Sequence, residues 1–267
     1  MKINVGGMSV NYEIEGQGEN LILIHGAFDN LNMWYNQVPV FAKDYRVITY
    51  DIRGFGKTES REMEYSVPLF AEDLYQFTKA IKIENTFCIG FSLGGSIAVQ
   101  LAIDHPELVK AIVLTNSSGG LPIATPSPKA LERGKEILEL LDQGDMRKAA
   151  ELMASAAFSR DFKSKNPAEF EKFVNSKLDN DPHKLAQVMQ SLRPGVSVPD
   201  ISKLKCPTLL IIGEYDSGMG PDQGKQLQQA IPNSKLVILA AGHSSPFELP
   251  DEFNRAVLEF LSDLKGD

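Results

Sequence analysis

The stretch Thr86-Phe87-Cys88-Ile89-Gly90-Phe91-Ser92-Leu93-Gly94-Gly95-Ser96 constrains this chain more than any other. It reads as a buried strand, a sharp turn and the start of a helix, with the turn at Gly90-x-Ser92-x-Gly94. A serine on such a turn is held in strained backbone geometry at the top of a sheet, its hydroxyl pushed outward. Side chains at the flanking glycine positions would collide with the neighbouring strand and helix. The pattern alone is weak, because short glycine–serine patterns arise by chance. It gains meaning only if the rest of the chain supplies the partners that Ser92 would need.

Around it the chain alternates strand-like and helix-like segments. Residues 2–15 place apolar Ile3, Val5, Val10, Tyr12 and Ile14 about Gly6-Gly7, a hairpin signal. Leu21-Ile22-Leu23-Ile24 is continuously apolar, as in a strand covered on both faces, and ends in His25-Gly26. A strand over Tyr45 to Asp51 runs into the glycine-rich turn Arg53-Gly54-Phe55-Gly56, and a helix with Phe70, Leu74, Phe77 and Ile81 on one face follows Ser66. The helix after Ser92 carries Ile97, Leu101 and Leu108, closes near Pro106, and leads to a strand over Lys110 to Thr115.

The rhythm then stops over residues 118–195. A proline-rich opening (Pro122, Pro126, Pro128) precedes four helical patterns. The first runs from Lys129 to Leu141. Asp145 caps the second, which carries Met146, Ala149, Ala150, Met153 and Ala157. Asn166-Pro167-Ala168-Glu169 reads as a cap, a first-turn proline and an acidic first turn. Asp181-Pro182 opens the fourth, with Leu185, Val188, Met189 and Leu192 on one stripe, and Pro194-Gly195 closes it. Strand–helix alternation resumes with a strand over Cys206 to Gly213, a helix at 222–230, a strand over Lys235 to Leu239 and a final helix at 247–264. Such alternation predicts a mostly parallel sheet with helices on both faces, and chemistry beyond the carboxyl ends of its strands. The expected division is a core of residues 1–117 and 196–267 with a helical insertion at 118–195. No internal repeat or low-complexity tract interrupts it.

Serine is a poor nucleophile at neutral pH. It needs a base, a group to orient that base, and donors for a developing oxyanion. Of the four histidines, His243 in Ala241-Gly242-His243-Ser244-Ser245 is the candidate base, on a loop after the last predicted strand. His25 suits a turn, His105 a helix end before Pro106, and His183 the first turn of an insertion helix. Asp216, in Gly213-Glu214-Tyr215-Asp216, is the candidate acid, just past a strand end. Glu214 and Asp222 compete with it and read as solvent-facing or helix-capping. The preceding strand ends in Thr115-Asn116-Ser117, without a carboxylate. The oxyanion donors would be the backbone N–H of Leu93 and that of Ala27 in His25-Gly26-Ala27.

Other features read blandly. Gly54-x-Gly56 opens no helix as a dinucleotide site would. Cys88 and Cys206 fit buried free thiols, with no disulfide framework and no metal-site spacing. Neither a metal nor a cofactor is expected. The apolar residues of the insertion read mainly as its own core. Met33, Trp34 and Phe91, which adjoin the candidate loops, are the expected pocket walls, with Met153 and Met189 added from the insertion. The net charge of -8 argues against nucleic acid and anionic membranes as partners. The N-terminus lacks the apolar run of a signal peptide, so a cytoplasmic, soluble protein is the expectation, as a monomer or homodimer.

The chain resembles the α/β-hydrolase superfamily, in its small cap-bearing branch. The matching pieces are His25-Gly26 with Trp34 downstream, Asp51-x-Arg53-Gly54-x-Gly56, Gly90-Phe91-Ser92-Leu93-Gly94-Gly95, Gly213-Glu214-Tyr215-Asp216 and Gly242-His243. The order Ser92, Asp216, His243 is the superfamily's order. The resemblance implies an eight-stranded, mostly parallel sheet, with a helical cap over the active site inserted after the sixth strand, and a structural role for Arg53. The implied activity is a serine hydrolase acting on a small-molecule ester through an acyl-enzyme. Nearby alternatives are an enol-lactonase, a carbon–carbon bond hydrolase of aromatic catabolism and a cofactor-free perhydrolase. Haloalkane dehalogenases and epoxide hydrolases of this superfamily use aspartate where Ser92 stands. A ligand receptor on the same scaffold is the competing hypothesis from outside catalysis.

Overall fold

A computed structural model describes residues 1–60, 64–122, 127–192 and 199–264. Its centre is an eight-stranded sheet in the order β1-β2-β4-β3-β5-β6-β7-β8. Strands β1 (Lys2–Val5) and β2 (Met8–Glu15) form the expected hairpin, and both turn glycines, Gly6 and Gly7, have positive φ (57° and 82°). That is the backbone a two-residue hairpin turn requires. β2 runs antiparallel to β4 (Tyr45–Tyr50). β3 (Glu19–Ile24), β4, β5 (Thr86–Phe91), β6 (Val109–Thr115), β7 (Thr208–Gly213) and β8 (Ser234–Leu239) are mutually parallel. Every residue of β5 is buried, and Leu21 to Ile24 are fully so, as continuous apolar runs in a doubly covered sheet should be.

Helices flank this sheet. The short α1 (Val38–Phe41) lies beside β4, and α2 (Val67–Ala80) packs on α3 (Leu93–Asp104), which lies along β3, β5 and β6. Ser66 caps α2, its hydroxyl accepting the Leu69 N–H. α3 stops at Asp104, short of Leu108, which is buried in the turn before β6. His105 precedes Pro106, leaves the helical region at φ -133° and ψ 64°, and stacks on Tyr75 at 3.5 Å. A residue before proline is driven out of the helical region.

Between β6 and β7 the described residues form helices and no strand. They are α4 (Pro128–Asp142), α5 (Met146–Ala157), α6 (Phe162–Lys165), α7 (Pro167–Ser176) and α8 (Pro182–Ser191), with a 3-10 turn at Ile201–Lys203. Asp145 and Asp181 cap α5 and α8 through the N–H groups of Lys148 and Lys184. Asn166, expected to cap α7, makes no side-chain cap bond, because it also closes α6 and its φ of -133° belongs to that junction. Pro126 and the expected closing pair Pro194-Gly195 lie outside the described residues.

After β7 come α9 (Pro221–Ala230), β8, α10 (Ser245–Glu248) and α11 (Pro250–Asp263). The single helix expected at 247–264 is therefore two. Leu249 precedes Pro250, leaves the helical region at φ -133°, and breaks the run there. α9 and α11 lie against β7 and β8.

Candidate active site

Ser92 follows the last residue of β5 and immediately precedes α3. Its φ is 51°, a left-handed conformation that costs a non-glycine residue about 1–3 kcal/mol and persists only where the surroundings dictate it. Here they do. The Ser92 N–H bonds the Thr115 carbonyl at 2.9 Å, and two glycines let neighbouring backbones close in. A Cβ on Gly90 would meet the Gly94 carbonyl oxygen at 2.3 Å, and one on Gly94 would meet the Ile24 carbonyl oxygen at 2.2 Å. The start of α3 is thereby seated on the carboxyl end of β3.

The loop after β3 is held from beneath by His25. Burial pushes this imidazole down to about 4, so it is neutral at pH 7. Its Nδ1 bonds the Gly26 carbonyl at 2.7 Å as donor, and its Nε2 accepts the Ile52 N–H at 2.9 Å. The reading of His25 as a turn residue thus acquires a mechanism: it pins the loop to the chain after β4. Gly26 lies against the Phe91 ring, where a Cβ would sit 2.7 Å away. Ala27, Ser92 and Leu93 are half-buried at this junction, among neighbours that are almost all fully buried.

Asp216 and His243 arrive from the ends of β7 and β8. The Nδ1 of His243 lies 2.7 Å from Asp216 Oδ2, with the two side chains 31% and 2% exposed. The imidazole also lies 5.2 Å from the Phe91 ring, beside the residue that precedes Ser92. Glu214 and Asp222 are both exposed, and Asp222 pairs with Lys225 at 3.3 Å in the first turn of α9. Burial alone would raise the Asp216 carboxyl. The hydrogen bond and charge of His243, the Asn116 amide and the Gly218 N–H outweigh it and bring it down to about 2.

Asn116 is a site residue that composition and order did not single out. It has φ 46°, and its Nδ2 donates to Asp216 Oδ2 at 2.9 Å while its Oδ1 accepts the Ser245 hydroxyl at 2.6 Å. Gly218 and Met219 N–H groups hold the other carboxylate oxygen at 2.9 and 3.1 Å. An asparagine directly after a strand, at a position that tolerates the left-handed region, was the available signal.

The expected pocket residues have mixed placements. Phe91 adjoins His243, Met33 and Trp34 are buried at 1% and 0% in the 3-10 turn Leu31–Trp34, and Met153 and Met189 are half-buried on α5 and α8. Arg53 forks onto Asp73 through Nε (2.6 Å) and Nη2, in keeping with a structural role. Both cysteines are free thiols; burial raises Cys88, and raises Cys206 to about 11. Among the described residues, no cluster of three or more His, Cys, Asp or Glu side chains could hold a metal ion, and no helix is long and apolar enough to cross a membrane.

The sequence profile of the alpha/beta hydrolase fold matches residues 19–250. The chain belongs to the alpha/beta hydrolase family. Within this family it is 28% identical, over 97% of its own length and 90% of the other, to 2-hydroxy-6-oxo-6-(2'-aminophenyl)hexa-2,4-dienoic acid hydrolase of Metapseudomonas resinovorans. It is also 28% identical, over 95% of its length and 100% of the other, to the pimeloyl-[acyl-carrier protein] methyl ester esterase of Aeromonas hydrophila. Among solved structures, the enol-lactonase from Burkholderia xenovorans LB400 superimposes with a TM-score of 0.87 at 26% identity, covering 98% of this chain and 100% of that one. These alpha/beta hydrolases differ in the bond they break, so the likeness identifies a hydrolase and leaves the substrate to the site itself.

Proposed function

We propose that this chain is a serine hydrolase that cleaves a small carboxylic ester through an acyl-enzyme. The observation that carries the reading is the Asp216–His243 contact at 2.7 Å, with the imidazole 5.2 Å from the ring of Phe91, the residue before a serine held at φ 51°. Ser92 Oγ attacks the carbonyl carbon as His243 Nε2 takes the hydroxyl proton. The backbone N–H groups of Leu93 and Ala27 receive the oxyanion, and each such donor is worth about 10²–10³ in rate. His243 returns the proton to the leaving alcohol, and water activated by the same imidazole then releases the acid. Asp216 keeps Nδ1 of His243 protonated and stabilises the imidazolium.

Residues 118–195 act in this reading as a cap over Ser92. Phe91, Met33, Trp34, Met153 and Met189 form an apolar pocket that favours small acyl or aromatic groups over charged polymers. A cyclic ester can follow the same steps, with the leaving alcohol tethered to the acyl group. The likeness to an enol-lactonase over the whole chain favours that second substrate class. The test is a panel of activated esters, alkyl esters and lactones compared by kcat/KM, with Ser92→Ala beside the parent. Ester or lactone turnover that depends on Ser92 supports the reading; turnover unchanged in the variant excludes it.

A further inference from the structure

The loop that carries His243 is held on two sides. Inside, Asp216 and Asn116 grip the imidazole and Ser245. Outside, the contacts come from the end of α5 in the cap. The Ser244 N–H donates to the Ala157 carbonyl at 2.8 Å. Gly242 touches the cap backbone directly: a Cβ there would lie 2.6 Å from the Phe158 carbonyl carbon and 2.8 Å from the Ser159 nitrogen.

One side chain links the two surfaces. Glu248, the last residue of α10, turns back so that Oε2 accepts the Gly242 N–H at 2.8 Å and the Ser159 N–H at 3.1 Å, while Oε1 accepts the Ser159 hydroxyl. Rings buttress the same joint. Phe158 packs on Phe173 at 4.7 Å, and Phe173 on Phe247 at 4.5 Å.

From this we infer that Glu248 is a positioning residue through which the cap sets the loop of His243. The inference rests on His243 being the general base of the proposed hydrolase. The residues on either side of His243 are bonded to cap residues 157–159, directly at Ser244 and through Glu248 at Gly242. A cap shifted by a bond length loses both bonds, and the imidazole loses its outer support. Cap seating therefore acts on the chemical step as well as on substrate retention. A carboxylate suits the post because it accepts from two N–H groups on Oε2 and from a hydroxyl on Oε1. A glutamine keeps an acceptor for the two N–H groups only by turning its N–H₂ to the Ser159 hydroxyl, and it loses the charge that strengthens all three bonds.

The test is a double-mutant cycle on an ester that the parent hydrolyses in a Ser92-dependent way, with kcat and KM read separately. Ser159→Ala removes one bond to a charged acceptor and lowers kcat about tenfold with KM within about twofold. Glu248→Gln lowers kcat by about tenfold to a hundredfold. The double variant is no worse than Glu248→Gln alone, because the hydroxyl of Ser159 acts only through that carboxylate. Ser159→Thr, which keeps a hydroxyl, restores most of kcat. Multiplying losses in the double variant, or an unchanged kcat in Ser159→Ala, would overturn the inference. Should Glu248→Gln not fold, the Ser159→Ala and Ser159→Thr pair decides the matter: loss and recovery support it, and no change overturns it. Turnover that survives Ser92→Ala instead overturns the assignment of the site itself, a distinguishable failure.

Discussion

Asp216 carries opposing influences. Desolvation favours its neutral acid, yet four donors stabilise its charge: Asn116 Nδ2, His243 Nδ1 and the N–H groups of Gly218 and Met219. With its folded value near 2 against an ordinary 3.8, its stabilising contribution is complete above pH 3.8 and is lost as pH falls toward 2. Asp216→Asn presents an amide where the carboxylate held the imidazole tautomer, so kcat should drop by about 10³–10⁴ at constant fold, measured by steady-state kinetics beside circular dichroism. His25 makes a different acid-side contribution. Its folded value near 4 lies below the ordinary 6.5, so the unfolded chain binds the proton first. Its contribution is complete above pH 6.5 and is lost as pH falls to 4, about 3 kcal/mol in all at 1.36 kcal/mol per unit. Urea unfolding at pH 7.5, 5.5 and 4.5 should show this slope in the parent and a shallower one in His25→Gln. Equal slopes would remove His25 from the account.

Elements meet at joints built from single side chains. A second joint between the helices that follow β6 and the rest of the chain lies at the end of α7. Lys177, fully buried, forms an ion pair with Asp29, two residues beyond Ala27, and lies 3.8 Å from the centre of the Phe173 ring. Around it Asn30 Nδ2 donates to the Ser176 carbonyl at 2.8 Å, and Asn180 Oδ1 accepts the Gly56 N–H at 2.7 Å. Removing one partner of such a pair strands a buried charge and costs about 3–5 kcal/mol, whereas replacing both with apolar groups is often near neutral. Lys177→Met should therefore destabilise the protein by that amount in chemical denaturation, and Asp29→Leu/Lys177→Met should recover most of it. A double variant no more stable than the single would show that the pair is not the source of the loss. Neither joint was legible beforehand. Lys177 and Glu248 look like ordinary surface charges in a helical pattern, and their partners lie 148 and 89 residues away. Local periodicity carries no information about such distances.

At the scale of the whole molecule, local signals are legible in the sequence and long-range ones are not, for one physical reason. β3 and β5 are legible because both their faces are covered, so Leu21 to Ile24 and Phe87 to Ile89 are continuous apolar runs. The Ser92 turn is legible because close backbone approach at Gly90 and Gly94 leaves room for glycine alone. The order of Ser92, Asp216 and His243 placed all three beyond strand ends, where the sheet brings Asp216 and His243 into contact. Asn116 carries no such signal, because its bond to Asp216 depends on β6 and β7 being neighbours, which topology decides. The helices between β6 and β7 point to no substrate, because apolar stripes on α5 and α8 look the same whether they fill a core or face a ligand. The break at Leu249 was local and readable in principle, since Pro250 stands next to it. The central proposal is that Ser92 is the nucleophile of this alpha/beta hydrolase. The direct measurement is peptide-mapping mass spectrometry after reaction with an activated organophosphonate, alongside ester turnover of parent and Ser92→Ala. One adduct is expected, on Ser92, with turnover abolished by the label and reduced by at least about 10³ in the variant. A stoichiometric adduct elsewhere, or turnover that survives in Ser92→Ala, would contradict it.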